Sequence, residues 1–243
     1  MAEYDLPSGP AELFEAVRHT LGVHVGGQRN MRLGGGTALA ARWAHRHSTD
    51  VDLFISADHY QRLFDNRDSF QRDAERHLSA SAVVIEEGLV ALFVRQPDQL
   101  GEITLATTPA MTPVPHSFDT VRGTDVALET NAEILAKKLR YRMVLRQQLV
   151  PRDLYDIAVA RDRDPAALRQ ALGVIDSFSL QEMYTHLDSL PERWMANHRQ
   201  RLIRPTFRRA ASSPVSIVKH IVADHIHARP PAGRPRTDIS WDR

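Results

Sequence analysis

Asp50 and Asp52 stand two residues apart in the segment Ser48-Thr49-Asp50-Val51-Asp52-Leu53-Phe54-Ile55. Its alternation and its β-branched and aromatic content predict a strand. Residues i and i+2 of a strand share a face, so the two carboxylates project together with Cα atoms roughly 7 Å apart and can bridge hard cations. Two such cations about 3.5 to 4 Å apart stabilise the attacking and leaving oxygens of in-line phosphoryl chemistry. An acidic pair taken alone is more often a solvated strand edge. Its neighbours change the reading. Gly34-Gly35-Gly36-Thr37 lies just upstream; glycine lets the backbone approach a ligand closely, and a helix after it presents free amides and a partial positive charge suited to a triphosphate. Thr37 adds a hydroxyl. This is not a P-loop, because no Gly-Lys-Ser/Thr follows. Glycine turn, short helix, polar elbow (His45-Arg46-His47-Ser48) and Asp-x-Asp strand form one local unit in which phosphate and metal ligands face each other.

The elements that must position these groups follow from the apolar pattern. Leu13, Phe14, Val17 and Leu21 recur at helical spacing within residues 10–22, with Pro10 in an early helical position. Met31 to Leu33 read as a short strand entering the glycines, Thr37 to His45 as a helix, and Asp50 to Ile55 as a strand. The polar stretch 59–77 looks helical, and strands are expected at 90–95 and 102–106, joined by the turn residues 96–99. From about Thr124 the texture becomes helical, because Leu128, Ala132, Leu135, Leu139 and Met143 fall on one stripe. Pro151 opens another helix, Pro165, Gly173 and Pro191 punctuate later ones, and Val215, Val218 and Val222 suggest a last one. The expectation is an α+β chain: a small mixed sheet with flanking helices in residues 1–123, a helical region in 124–228, and a flexible Pro-, Gly- and charge-rich tail in 229–243.

The 243 residues suffice for a full core, and 31 basic against 30 acidic residues give a formal charge of +1. Bulk attraction to nucleic acid is therefore absent, and any polyanion site must come from local clustering. No cysteine occurs, which excludes disulfides, thiolate zinc sites and a cysteine nucleophile. The polar, acidic N-terminus and the lack of an apolar run near 18 to 20 residues argue against a secretory signal or a membrane span, so the expected setting is soluble and cytoplasmic.

Gly35-Gly36-Thr37-Ala38-Leu39, then His45-Arg46, then Ser48-Thr49-Asp50-Val51-Asp52-Leu53-Phe54 together resemble the signature of the AbiEii/AbiGii-type nucleotidyltransferase toxins. Glu133-Ile134-Leu135-Ala136-Lys137-Lys138-Leu139, and Arg152-Asp153-Leu154-Tyr155-Asp156 fifteen residues after Lys138, resemble that family's lysine and Arg-Asp motifs in the right order. The resemblance covers roughly residues 31–160. It implies a DNA polymerase β-like nucleotidyltransferase core followed by a helical region, a nucleoside triphosphate as donor, Mg²⁺ or Mn²⁺ as cofactor, RNA (tRNA foremost) as acceptor, and an antitoxin partner. The implied metal ligands are Asp50 and Asp52. The implied lysine maps onto Lys138, with Lys137 as alternative, and the later acid onto Asp153, with Asp156 as a weaker candidate. A lysine neutralises triphosphate charge, and an aspartate near the nucleophile acts as base or orients that lysine. Gly35, Gly36, Thr37, Arg46, Ser48 and Lys138 form the expected nucleotide-binding set. One departure stands out. Nucleotidyltransferases usually carry a third carboxylate on a later strand, where Gly101-Glu102-Ile103-Thr104-Leu105 offers Thr104; Glu102, on the same face, is the available substitute.

Twelve histidines raise the question of zinc, but no ligand spacing such as His-Glu-x-x-His occurs. His45 and Arg46 read either as loop residues near the triphosphate or as solvation of the elbow. Between Arg193 and Arg209 lie six arginines and no acid, with Trp194 and Phe207 interleaved. Arg199, Arg201, Arg204 and Arg208 are the candidate RNA contacts, with the aromatics available for stacking on unpaired bases; a helix with a solvated basic face is the competing reading. Arg140, Arg142 and Arg146 extend the same surface. Two competing functions remain open: transfer of the nucleotide to a protein side chain, and a non-catalytic nucleotide- or RNA-binding module.

Overall fold

Eight strands form one mixed sheet flanked by helices in a computed structural model of the chain, which describes residues 3–6, 8–95, 100–198 and 202–228. In chain order the elements are β1 (Glu3–Tyr4), α1 (Ser8–Leu21), β2 (Arg32–Gly34), α2 (Gly35–Trp43), β3 (Val51–Phe54), α3 (Ala57–Asp65), α4 (Arg67–Leu78), β4 (Ala80–Glu86), β5 (Leu89–Arg95), β6 (Leu100–Ala106), β7 (His116–Val121) and β8 (Thr124–Glu129). There follow α5 (Asn131–Lys137), π-helical turns over Lys138–Leu145, α6 (Pro151–Arg163), α7 (Pro165–Gly173), α8 (Ser177–Asp188), α9 (Trp194–Asn197), α10 (Arg208–Ser212) and α11 (Pro214–Ala228).

The strand order is β1-β7-β8-β2-β3-β6-β5-β4. The glycine strand β2 and the aspartate strand β3 are central and antiparallel, with Gly34 opposite Asp52. β3 runs parallel to β6, which sets Asp52 opposite Thr104. Because cross-strand partners share a face, Asp52, Thr104 and Glu102 look the same way. Leu33, Leu53 and Ile103 are fully buried between them on the sheet's inner side. A single contiguous apolar cluster extends from Phe14 and Phe70 through these strands to Leu135, Tyr155, Leu180 and Val222. The helices after β8 are therefore packed on the same core as the sheet.

Several expected boundaries are corrected. The stretch 59–77 is two helices, broken at Asn66, whose side-chain amide donates to the Arg62 carbonyl over 2.9 Å. The helical texture expected from Thr124 begins only at Asn131, because Thr124–Glu129 is a strand joined to β7 by a tight turn with Arg122 and Gly123 in the left-handed region. The cause is burial on both faces: β8 lies between β7 and β2, so Val126, Ala127 and Leu128 are all buried, and a short all-apolar run has no period that separates strand from helix. The 123/124 boundary thus falls inside a hairpin turn. β1, β4 and β7 had no expected counterpart. The expected turn 96–99 and the tail 229–243 lie outside the described residues. Among the described residues no helix is long and apolar enough to cross a membrane.

Candidate active site

The glycine loop is shaped by what lies against it. Gly35 has φ +62°, and a Cβ there would stand 1.9 Å from Asp52 Oδ2; a Cβ on Gly36 would stand 2.1 Å from Arg46 Nη2. Only glycine leaves room for both groups, and at Gly35 it also relieves the backbone. The Thr37 hydroxyl donates to the Asp50 carbonyl and lies 2.8 Å from Ser48 Oγ, and both side chains are buried. Thr37 and Ser48 therefore tie the start of α2 to the start of β3 rather than reaching the open cleft.

Asp52 lines a cleft of about 320 Å³ together with Gly35, Glu102, Lys137, Lys138 and Arg142. Its Oδ1 accepts from Thr104 Oγ1 over 3.0 Å, so the threonine holds the carboxylate beside it. Glu102 is half-buried on the same cleft, and burial followed by the charges of Asp50 and Asp52 pushes its carboxyl up from the ordinary glutamate value. Asp50 stands one residue before β3; its Oδ1 accepts from Thr49 and its Oδ2 from Arg152 Nη1 over 2.9 Å.

Lys138 comes from the far side. It is buried where α5 passes into the π-helical turns, a local widening frequent at functional sites. Its Nζ donates to Asp153 Oδ1 and stands 3.1 Å from Asp156 Oδ2. Asp156 also takes His45 Nε2 at 2.8 Å and, in a two-point pair, Arg46 Nε at 2.7 Å and Nη2 at 2.9 Å. Asp153 takes Arg142 Nη1 at 3.0 Å. Charges thus alternate along Arg46–Asp156–Lys138–Asp153–Arg142. Burial alone would raise both aspartates; Arg46 and Lys138 outweigh it for Asp156, which lies well below the usual carboxylate range, and Lys138 and Arg142 do so for Asp153, which is also lowered. Asp153 is fully buried and held ionised, which suits it to orienting Lys138 and makes it a weak proton acceptor.

Both lysines of the Lys-Lys pair are buried. They part company: Lys137 meets Glu129 Oε1 at 2.5 Å and Glu133 Oε1 at 3.4 Å and sits 3.8 Å from the Phe54 ring centroid, while Lys138 faces the aspartates. Glu129, with Oε2 unpartnered, is pushed up to about 7 by burial against the opposing pull of Lys137. The elbow is not solvated either: His45 is fully buried, stacked on Tyr155 at 5.5 Å, and Arg46 is spent on Asp156. Of the arginine cluster, Arg204 and Arg208 are exposed, and Arg199 and Arg201 lie outside the described residues. Its aromatics do not stand free for stacking: Trp194 and Phe207 pack against the core, and Arg163 lies 4.8 Å from the Phe207 ring centroid. Sequence reasoning ranked Asp156 below Asp153 and did not single out Glu129. Asp156 carried a signal in the Asp-x-x-Asp spacing, one helical turn, that puts both acids on one face of α6.

A glycine loop against an Asp-x-Asp strand, with a lysine delivered from a following helix, defines a nucleotidyltransferase. The chain belongs to the AbiEii nucleotidyl transferase toxin family of type IV toxin–antitoxin systems, whose family model matches residues 21–213. It is accordingly a nucleotidyltransferase enzyme of toxin type, which implies a nucleoside triphosphate substrate and an antitoxin partner. Among solved structures it is similar in fold to a putative nucleotidyltransferase from H. pylori, at 13% identity and TM-score 0.54 over 92% of this chain and 97% of that one. It is also similar to the nucleotidyltransferase toxin MenT4 from Mycobacterium tuberculosis, at 17% identity and TM-score 0.50 over 91% of this chain and 85% of that one. No curated protein matches the sequence.

Proposed function

We propose that the chain moves a nucleoside monophosphate from a nucleoside triphosphate to the end of an RNA, tRNA foremost, with release of pyrophosphate, and that Asp50 and Asp52 hold Mg²⁺ or Mn²⁺ for it. The observation that carries the reading is the convergence of Gly35, Asp52, Glu102, Lys138 and Arg142 on one cleft. Among the described residues no three His, Asp or Glu side chains enclose a metal site by themselves. Mg²⁺ is commonly held by one or two carboxylates and completed by phosphate oxygens and water, and Asp50 and Asp52 line one small recess. Asp52 also lines the cleft that holds Glu102; the negative charge of the two aspartates, felt at Glu102, is what a divalent cation held by them would relieve. When bound, the cation supplies charge neutralisation and lowers the pKa of an oxygen it contacts.

The chain's own groups do the rest. The Gly35–Gly36 backbone and the start of α2 receive phosphate oxygens. Lys138, with two of its three N–H donors on Asp153 and Asp156, keeps one for the triphosphate, and Arg142 adds charge at the mouth. An RNA hydroxyl oxygen attacks the α-phosphorus, the bond from that phosphorus to the bridging oxygen breaks, and pyrophosphate leaves. Glu102, half-buried on the same cleft as Asp52, takes the hydroxyl proton. Exposed Arg204 and Arg208 favour a polyanionic acceptor.

Incubation of the protein with each labelled triphosphate, Mg²⁺ and total tRNA tests the reading. Label is expected in the tRNA band and absent with Asp52→Asn. Label that migrates with protein would move the acceptor to a side chain, and transfer undiminished in Asp52→Asn would refute the assigned site.

A further inference from the structure

Four cations surround the small recess between Gly36 and the strand carboxylates: Arg46, Lys138, Arg142 and Arg152. Three of them have partners on α6. Arg46 is locked in a two-point pair with Asp156, Lys138 lies between Asp156 and Asp153, and Arg142 is held by Asp153. Arg152 differs. Its ion pair runs to Asp50, through Nη1 to Oδ2 at 2.9 Å, and both side chains are partly open to solvent, 35% and 25% exposed. It also follows Pro151 in the first turn of α6, where the positive end of a helix disfavours a cation. Helix electrostatics does not explain an arginine there; the strand carboxylate does.

The two Asp50 oxygens divide their partners: Oδ1 accepts from Thr49 and Oδ2 from Arg152. A cation at Asp50 and the Arg152 guanidinium compete for the same negative charge and the same side of the carboxylate. We infer that Arg152 is a positioning residue that shields Asp50 and passes from that carboxylate to the phosphates of the incoming nucleotide when a metal ion takes its place. The inference rests on the proposed placement of the metal at Asp50 and Asp52. Physically the exchange conserves pairing: Asp50 trades a guanidinium for a divalent ion, and the freed guanidinium meets phosphate oxygens, for which its planar donor fork is suited. Divalent metal alone is then a weak ligand, and metal with triphosphate a strong one.

The test measures Mn²⁺ binding to the full chain by loss of the free-ion paramagnetic signal, with and without inorganic tripolyphosphate as probe. Arg152→Gln is expected to bind Mn²⁺ alone about two- to fivefold more tightly than wild type, the scale of a partly exposed ion pair. The same variant is expected to lose about tenfold or more in tripolyphosphate affinity measured with Mn²⁺ present, the scale of a charge-assisted hydrogen bond. Arg152→Lys, which keeps the charge without the fork, should stay near wild type for Mn²⁺ alone and fall between the other two for tripolyphosphate. A merely structural role would weaken both affinities in Arg152→Gln, and that result, or unchanged Mn²⁺ binding, overturns the inference. If Asp52→Asn binds Mn²⁺ and tripolyphosphate as wild type does, the metal placement itself has failed; if Asp52→Asn loses Mn²⁺ while Arg152→Gln is unaltered, only the exchange has.

Discussion

Asp156→Asn removes one negative charge and almost no volume from a site that is fully buried. The wild-type carboxylate accepts from His45 at 2.8 Å, twice from Arg46 at 2.7 and 2.9 Å, and faces Lys138 at 3.1 Å. An amide can satisfy at most part of this set, and its own NH₂ would confront the Arg46 guanidinium, a group that stays charged. Removing one partner of a buried ion pair costs about 3 to 5 kcal/mol, chiefly because the survivor is stranded without compensation. Against a typical total of about 5 to 15 kcal/mol, that is a large share of the stability. In urea titrations with a slope near 3 kcal/mol/M the midpoint should fall by more than about 1 M, with the slope unchanged. Arg46→Met removes the stranded charge, so Arg46→Met with Asp156→Asn should lose less than the sum of the single losses. The pH dependence follows from the lowered carboxyl of Asp156: its contribution is complete above the unfolded aspartate value of about 3.9 and is lost as pH falls through the lower folded value. The stability gap between wild type and Asp156→Asn should therefore close in strong acid. A midpoint within about 0.2 M of wild type at pH 7, or strict additivity with Arg46→Met, would refute the claim that this charge network joins the two halves of the site.

Gly35→Ala places a methyl 1.9 Å from Asp52 Oδ2 at φ +62°; it should destabilise by about 1 to 3 kcal/mol and abolish transfer, read by thermal melting and the labelled-tRNA assay. Thr104→Val removes the 3.0 Å hydrogen bond that aims Asp52, so turnover should fall about fivefold, the scale of one hydrogen bond of roughly 1 kcal/mol, with little change in melting temperature. Chelation should stop transfer, and Mg²⁺ or Mn²⁺ should restore it. Glu129, with a carboxyl raised to about 7, binds protons more tightly folded than unfolded, so its burial costs stability increasingly as pH rises from the ordinary glutamate value to about 7. Glu129→Gln should flatten that decline, gaining on the order of 3 kcal/mol by pH 8 relative to pH 4, and an unchanged pH profile in denaturant melts would count against the raised value.

The local half of the site was legible because short-range chemistry specifies it. Gly34 to Thr37 and Asp50 to Phe54 lie within about one strand-helix-strand unit, so alternation and glycine content sufficed to place them on facing strands. The register that sets Gly34 opposite Asp52 came only with the structure. Glu102 on the face of Thr104 was reached from the same-face rule, and both line the cleft with Asp52. What the residues do not spell out is pairing across long separations. Whether Lys138 or Lys137 meets the acids depends on the rotation of a helix that ends in π-helical turns, and no sequence period announces that change of pitch. The helical reading of Thr124–Glu129 failed for a related reason, since a strand covered on both faces loses its alternation.

Asp156, the lower-ranked of the two acids, matters most for the architecture. Its partners His45 and Arg46 lie 111 and 110 residues away, in the elbow that leads into the aspartate strand. The same α6 turn that holds Arg46 also holds Lys138 and, through Arg152, reaches Asp50. The glycine-aspartate unit and the lysine are thus placed relative to each other by charges on one helix, and Tyr155, between the two acids, adds a hydroxyl bond of 2.8 Å to the His45 carbonyl. A site assembled this way forms only when α6 has docked on the sheet. The strand carboxylates without α6 would lack Lys138 in position, so loss of nucleotide binding should accompany, and not precede, the undocking of α6 as denaturant rises; triphosphate binding that vanished well before α6 became exposed to hydrogen exchange would break that link.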